Sequence, residues 1–145
     1  RDVPEGKPLP DYQFGDTAYL YLDKLTQLCK DNDVQLILVK APTLYPYWYE
    51  QWDQQIEEYA AANELDYYNF LEVQDEIGLD WSQDTYDGGL HLNLAGAKKL
   101  SQYFGEILRE KYKVKDRRGD EDTALYWDSV IERYYREIDR QKNRS

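Results

Sequence analysis

Residues 34–43, with the sequence VQLILVKAPT, form a nearly continuous apolar and β-branched run between two polar segments. A run of this length and composition is typical of a strand that is buried on both faces. Such strands occur in parallel sheets whose two faces are covered by helices. The segment therefore predicts an α/β fold.

Helical and strand patterns alternate on both sides of this segment. Apolar residues recur at helical spacing before and after it, and capping or terminating residues stand at the ends of the periodic stretches. The alternation predicts a three-layer α/β/α, flavodoxin-like architecture with a doubly wound parallel sheet. We expect helices from Asp16 or Thr17 to about residue 30, over 45–65, over 94–112 and after 116–122, and strands over 34–43 and 66–73.

Two strands are too few for a sheet that carries helices on both faces, because such sheets usually hold about four to six strands. We therefore expect residues 1–115 to be the C-terminal portion of an α/β domain, with residues 1–15 as an irregular lead-in. Residues 116–145 are expected to add a charged helical extension. The remaining strands would come from an N-terminal half, either in the same polypeptide or as a separate chain.

Charge and composition disfavour several classes of function. A net charge of −11 over 145 residues repels phosphate backbones, so we expect no nucleic-acid partner. The single cysteine, Cys29, rules out an internal disulfide and a cysteine metal cluster. No apolar run approaches the roughly 18–20 residues of a membrane span, so we expect no membrane contact within this chain.

The only histidine, His91, lies in the segment YDGGLHLNLAGAKKL, residues 86–100. Asp87 precedes it by four residues and Asp84 by seven, and Asn93 stands where the following helix needs an N-cap. A carboxylate next to an imidazole can fix its tautomer and stabilise the imidazolium, as a general base requires. Loops at strand ends are also where open α/β sheets hold their sites.

Three segments together, VQLILVKAPT, LDYYNF and DGGLHLNLAGAKKLSQYFGEIL, resemble the C-terminal half of SGNH/GDSL-type hydrolases and acyltransferases. The resemblance covers roughly residues 16–110. It implies a three-layer domain with a Ser-His-Asp triad whose Asp and His lie just before the last helix. It also implies a cofactor-free serine esterase or acyltransferase that acts on an acylated small molecule or bacterial cell-envelope glycan, in an extracytoplasmic or cell-surface location.

Under this resemblance His91 corresponds to the catalytic base. The family pattern D-x-x-H places its aspartate three residues before the histidine, where this chain has Gly88. Asp87 stands one residue earlier, as if a glycine had been inserted in the loop, and is the favoured partner. Asp84 is the alternative partner.

The nucleophile of the family has no counterpart in this sequence. No G-D-S or G-x-S motif occurs, and none of the serines stands in a strand-to-turn setting that would expose a nucleophile. The oxyanion residues are unmatched as well. We therefore expect the serine to lie outside this chain. The serines concerned are Ser82, Ser101, Ser129 and Ser145.

An aromatic cluster, LYPYWYEQW, follows directly after the strand end at Thr43. Tyr45, Tyr47 and Trp48 are candidates for stacking on a sugar ring or lining an acyl pocket. The competing interpretation is that Trp48 and Trp52 only pack the second helix against the sheet.

Alternatives to the enzyme remain open from the sequence. His91 can be a solvated residue at a helix entrance, or a ligand in a metal site with Asp84 and Asp87. The whole chain can also be a non-catalytic relative, a binding or assembly module that uses the aromatic cleft for a glycan or a peptide.

Overall fold

The computed structural model of the protein describes residues 6–44 and 47–142. Helices and strands alternate through its first half, and two longer helices follow. The helices are α1 (Asp16–Asp31), α2 (Glu50–Ala62), α3 (Gln74–Ile77), α4 (Leu94–Glu110) and α5 (Glu121–Lys142), and the strands are β1 (Ile37–Lys40) and β2 (Asp66–Asn69).

The two strands form a parallel pair. Ile37 lies opposite Asp66, and Lys40 lies opposite Asn69 at the carboxyl ends. The N–H of Phe70 donates to the carbonyl of Lys40 at 3.0 Å and extends the ladder by one bond. Helix α2 connects the strands and packs on β2. The prediction of an α/β chain with two parallel strands is confirmed.

Several boundaries differ from those predicted. Strand β1 is shorter than the run 34–43, and α2 begins at Glu50 although the helical pattern starts at residue 45. Glu50 and Asp53 stand in the first turn of α2, where the positive end of the helix dipole favours carboxylates. The short helix α3 was not predicted, because four residues are too few to show a period.

The described chain separates into two compact units, one ending at Tyr103 and the other beginning at Phe104. The buried apolar core lies in the first unit. In the second unit none of the described side chains of α5 is buried. The core residues are Leu44, Ala60, Phe70, Ile77 and Trp81.

The first unit also exposes large apolar side chains. Val39, in the middle of β1, is 46% exposed, and Leu28 of α1 is 59% exposed. Exposure of this extent on a strand and on the neighbouring helix is unusual, because these positions are normally part of a core. Leu20, Leu25 and Val34 are exposed in the same way.

Helix α4 begins in close contact with the loop before it. A Cβ atom at Gly96 would lie 2.4 Å from the carbonyl oxygen of Asp84 and 3.1 Å from the side chain of Leu92. Only glycine allows this approach. The first turn of α4 is therefore fixed against the segment that carries His91.

We predict opposite effects from two substitutions in α4. Gly96→Ala forces α4 away from the backbone of Asp84 and should lower the free energy of unfolding by about 1–3 kcal/mol. A Cβ atom at Gly105 would meet no atom within 4 Å. Gly105→Ala should therefore raise the free energy of unfolding by about 0.5–1 kcal/mol, since alanine favours the helix. Urea unfolding of both variants tests this. Equal effects would contradict the close approach at Gly96.

Candidate active site

The loop that carries His91 is attached to the carboxyl end of β1. The N–H of Leu44 donates to the carbonyl of Gly89 at 2.8 Å, and the hydroxyl of Thr43 donates to the carbonyl of Leu90 at 2.8 Å. These bonds bring His91 to the end of the sheet where α/β proteins hold their sites. The placement agrees with the sequence-based expectation.

Asn93 closes the loop and starts α4. Its side-chain oxygen accepts the N–H groups of Ala95 at 2.9 Å and Gly96 at 3.2 Å, as an N-cap does. Its amide nitrogen donates to the carbonyl of Gln83 at 2.6 Å. The expected N-cap is confirmed, and the same side chain ties both ends of the loop together.

Two glycines form the turn between Asp87 and His91. Gly88 and Gly89 have φ angles of +76° and +109°, which other residues rarely adopt. A Cβ atom at Gly89 would lie 2.7 Å from the side chain of Leu44. The chain therefore makes a tight turn here, and this turn brings Asp87 back toward His91.

Both oxygens of the Asp87 carboxylate are used within the loop. Oδ2 lies 2.5 Å from Nδ1 of His91, so the expected contact between these two side chains is present. Oδ1 accepts the N–H of His91 at 2.7 Å and that of Leu90 at 3.1 Å. The carboxylate thus fixes the ring and the backbone that carries it.

The pKa of Asp87 lies below its ordinary value. Desolvation opposes the charge, but hydrogen bonds from the ring and the N–H of His91 and from the N–H of Leu90 outweigh it. The carboxylate therefore stays ionised at neutral pH and can only accept hydrogen bonds. With Asp87 as acceptor, the proton of a neutral imidazole lies on Nδ1, and Nε2 keeps its lone pair.

Asp84, the alternative partner, contacts a different group. Its side chain is 3% exposed, and its Oδ2 accepts Nζ of Lys99 at 2.6 Å and the N–H of Asp80 at 2.7 Å. Burial opposes its ionisation, but these donors hold the pKa of Asp84 below its usual range. Asp84 therefore anchors the loop to α4 and does not orient His91.

This arrangement separates Asp84 from the other two residues of the metal site that the sequence left open. Asp84 binds Lys99, while Asp87 and His91 bind each other. Within residues 6–44 and 47–142, no group of three or more His, Cys, Asp or Glu side chains is arranged to hold a metal ion.

Tyr86 is a site residue that sequence reasoning missed. Its ring lies parallel to the imidazole of His91, within 4°, with the ring centroids 5.7 Å apart. The sequence shows only that a tyrosine precedes Asp87. Tyr86 and His91 are five residues apart, and this spacing does not predict a stack unless the glycine turn between them is known.

The aromatic candidates after β1 are less directly connected to His91. Trp48 donates its indole N–H to Oδ1 of Asp53 at 3.1 Å, and Nζ of Lys40 lies 5.1 Å from its ring centroid. Tyr47 is half-buried, and Tyr45 lies outside the described residues. Trp52 packs against Tyr49 and against Phe14 of the lead-in, as well as against Trp48.

Asp53 is a buried carboxylate near the same end of the strands. It accepts the hydroxyl of Tyr67 at 2.5 Å and the amide of Asn69 at 3.1 Å, together with the indole of Trp48. Burial opposes its ionisation, but the donors keep the pKa of Asp53 below its ordinary value. This network fixes α2 to β2, and Trp48 takes part in it as a hydrogen-bond donor to Asp53, a contact that the packing interpretation of the sequence did not include.

Comparisons with protein-family models, with curated proteins and with solved structures find no match to this chain. Among the described helices, none is both long enough and apolar enough to cross a bilayer.

We predict that the two loop carboxylates respond differently to substitution. Asp84→Asn removes the charge opposite Lys99 and should lower the free energy of unfolding by about 1–3 kcal/mol. Asp87→Asn keeps an acceptor for the backbone N–H groups at an exposed position. It should change the free energy of unfolding by about 0.5 kcal/mol or less. Urea unfolding at neutral pH measures both effects.

The pH dependence of the free energy of unfolding gives a second test of the role of Asp84. Because the folded-state pKa of Asp84 is lowered, its stabilisation is complete above the ordinary aspartate pKa of about 4 and is lost as the pH falls below it. Wild type and Asp84→Asn should therefore converge only in acid. A constant difference down to the lowest pH would contradict the assignment.

Proposed function

We propose that this chain supplies the acid–base half of an SGNH-type serine esterase or acyltransferase. The observation that carries the proposal is the Asp87–His91 pair at the carboxyl end of β1, with Oδ2 2.5 Å from Nδ1. The side chain of His91 is 60% exposed, so a substrate and a nucleophile can reach Nε2. A carboxylate, an imidazole and an accessible nitrogen are what a general base needs.

The proposed reaction assigns one role to each side chain. Nε2 of His91 removes the proton from a serine hydroxyl as the oxygen attacks the acyl carbon. Asp87 stabilises the imidazolium that forms and keeps Nδ1 protonated. His91 then returns the proton to the leaving alkoxide, and a water or an acceptor hydroxyl is activated in the same way to release the acyl group.

The finer architecture belongs to the same proposal. We infer that β1 and β2 are part of a larger parallel sheet with helices on both faces, in three layers. The exposed apolar side chains of α1 and β1, among them Leu28 and Val39, support this, since further strands would bury them. The proposal places the nucleophile and the oxyanion donors on those strands, in an N-terminal half.

The substrate class follows from the resemblance and from the loop after β1. The proposed substrate is an acylated small molecule or glycan, as in a bacterial cell envelope, and the reaction needs no cofactor. Tyr47 and Trp48 are proposed to line the acyl or sugar site, because they follow the strand end to which the His91 loop is bonded. A net charge of −11 favours a neutral or cationic substrate over a polyanion.

We predict that residues 1–145 alone do not hydrolyse p-nitrophenyl acetate above the rate of free imidazole. The pair has a base but lacks a positioned nucleophile and an oxyanion hole, which alone contributes about 10²–10³ in rate. A progress curve with an equimolar imidazole control measures this. Serine-dependent turnover by residues 1–145 would contradict the placement of the nucleophile, and Ser82, Ser101 or Ser129 would then be the candidates.

The protein completed with its N-terminal half, fused or added as a fragment, should hydrolyse esters and react with a fluorophosphonate on one serine. His91→Ala should lower kcat by at least about 10²-fold, because the general base is lost. Asp87→Asn should lower it by about 10³–10⁴-fold without unfolding the protein, because the imidazole then takes the wrong tautomer. Mass spectrometry locates the labelled serine.

The non-catalytic alternative gives the opposite result in the same assay. A binding or assembly module would show no fluorophosphonate label and the same background rate for wild type and His91→Ala. Either finding in the completed protein would contradict the enzymatic proposal.

A further inference from the structure

The ring of Tyr86 lies parallel to the His91 imidazole. The parallel rings and the centroid distance of 5.7 Å describe an offset stack, which aromatic pairs prefer to a direct sandwich. Tyr86 is nevertheless 70% exposed, so burial of its own ring does not account for its position.

The hydrogen bond to Asp87 does not by itself fix the orientation of the imidazole plane. It fixes the position of Nδ1, but the ring can still tilt about the Nδ1···Oδ2 direction, and tilting moves Nε2. A second, parallel ring restricts the plane of the imidazole. Asp87 therefore acts on the position of Nδ1, and the parallel ring of Tyr86 acts on the plane of the imidazole.

The backbone of the loop makes this stack possible. An isolated antiparallel bridge joins Thr85 to Leu92, so the residues just inside it, Tyr86 and His91, stand side by side. The carboxylate of Asp87 accepts the N–H of His91 inside the same turn. Tyr86 is thus held by the same short loop as the acid–base pair.

We propose that Tyr86 is a positioning residue, which fixes the plane of the His91 imidazole and so aims Nε2 at the attacking hydroxyl. This inference rests on the proposed function. It assigns the role to the ring and not to the phenol hydroxyl. Tyr86→Phe should therefore preserve the positioning of the imidazole, and Tyr86→Ala should not.

Nuclear magnetic resonance of the chain tests the stack directly. His91 is the only histidine, so the two imidazole C–H protons give unambiguous signals. In wild type and Tyr86→Phe we expect both protons to be displaced by the ring current of the neighbouring ring. In Tyr86→Ala they should return toward the values of a solvated histidine. Tyr21→Ala removes another exposed tyrosine, on α1, and should leave them unchanged.

Kinetics of the completed protein test the positioning role. Tyr86→Ala should lower kcat by about tenfold to a hundredfold, because small misplacements of a catalytic group cost this much, and should change KM by less than about twofold. Tyr86→Phe should retain wild-type kcat. A raised KM with unchanged kcat would overturn the inference and make Tyr86 a substrate contact.

The outcomes separate this inference from the proposed function. Unchanged imidazole signals in Tyr86→Ala would overturn the stack whatever the protein's activity. An active completed protein in which Tyr86→Ala keeps wild-type kcat would overturn the positioning role alone. A completed protein with no ester turnover and no fluorophosphonate label would overturn the proposed function, and the positioning role with it.

Discussion

The hydrogen bonds from Thr43 and Leu44 to the carbonyls of Leu90 and Gly89 determine where His91 lies. They join residues that are 45 and 47 positions apart in the sequence and bring the only imidazole to the carboxyl end of β1. Gly89 allows the close approach of Leu44, since a Cβ atom there would lie 2.7 Å from the side chain of Leu44. The other features of the candidate site depend on this junction.

Two aspartates in the same loop have separate tasks because their surroundings differ. Asp84 is buried against Lys99 and holds the loop to α4, whereas Asp87 is more exposed and holds the imidazole. Their separation by three residues does not reveal this division. The turn at Gly88 and Gly89 lies between Asp87 and His91, whereas Asp84 is held by its contacts with Asp80 and Lys99.

The sequence predicted those features that depend on local patterns. The parallel strands and the N-cap at Asn93 follow from apolar runs and capping chemistry, and the Asp87–His91 contact was expected from the family resemblance, with Asp84 as the alternative. The stack of Tyr86 on the imidazole and the role of Trp48 as a donor to Asp53 could not be predicted. Both depend on backbone directions in turns, and apolar periodicity carries no information about these.

The tautomer of the neutral His91 imidazole tests the central claim most directly. An ionised Asp87 can only accept a hydrogen bond, so Nδ1 must carry the proton and Nε2 must be free to act as a base. Long-range ¹H–¹⁵N correlation spectra of the single histidine, recorded in alkaline solution, distinguish the two tautomers. The account predicts a protonated Nδ1 in wild type and its loss in Asp87→Asn. A wild-type imidazole protonated on Nε2 would contradict it.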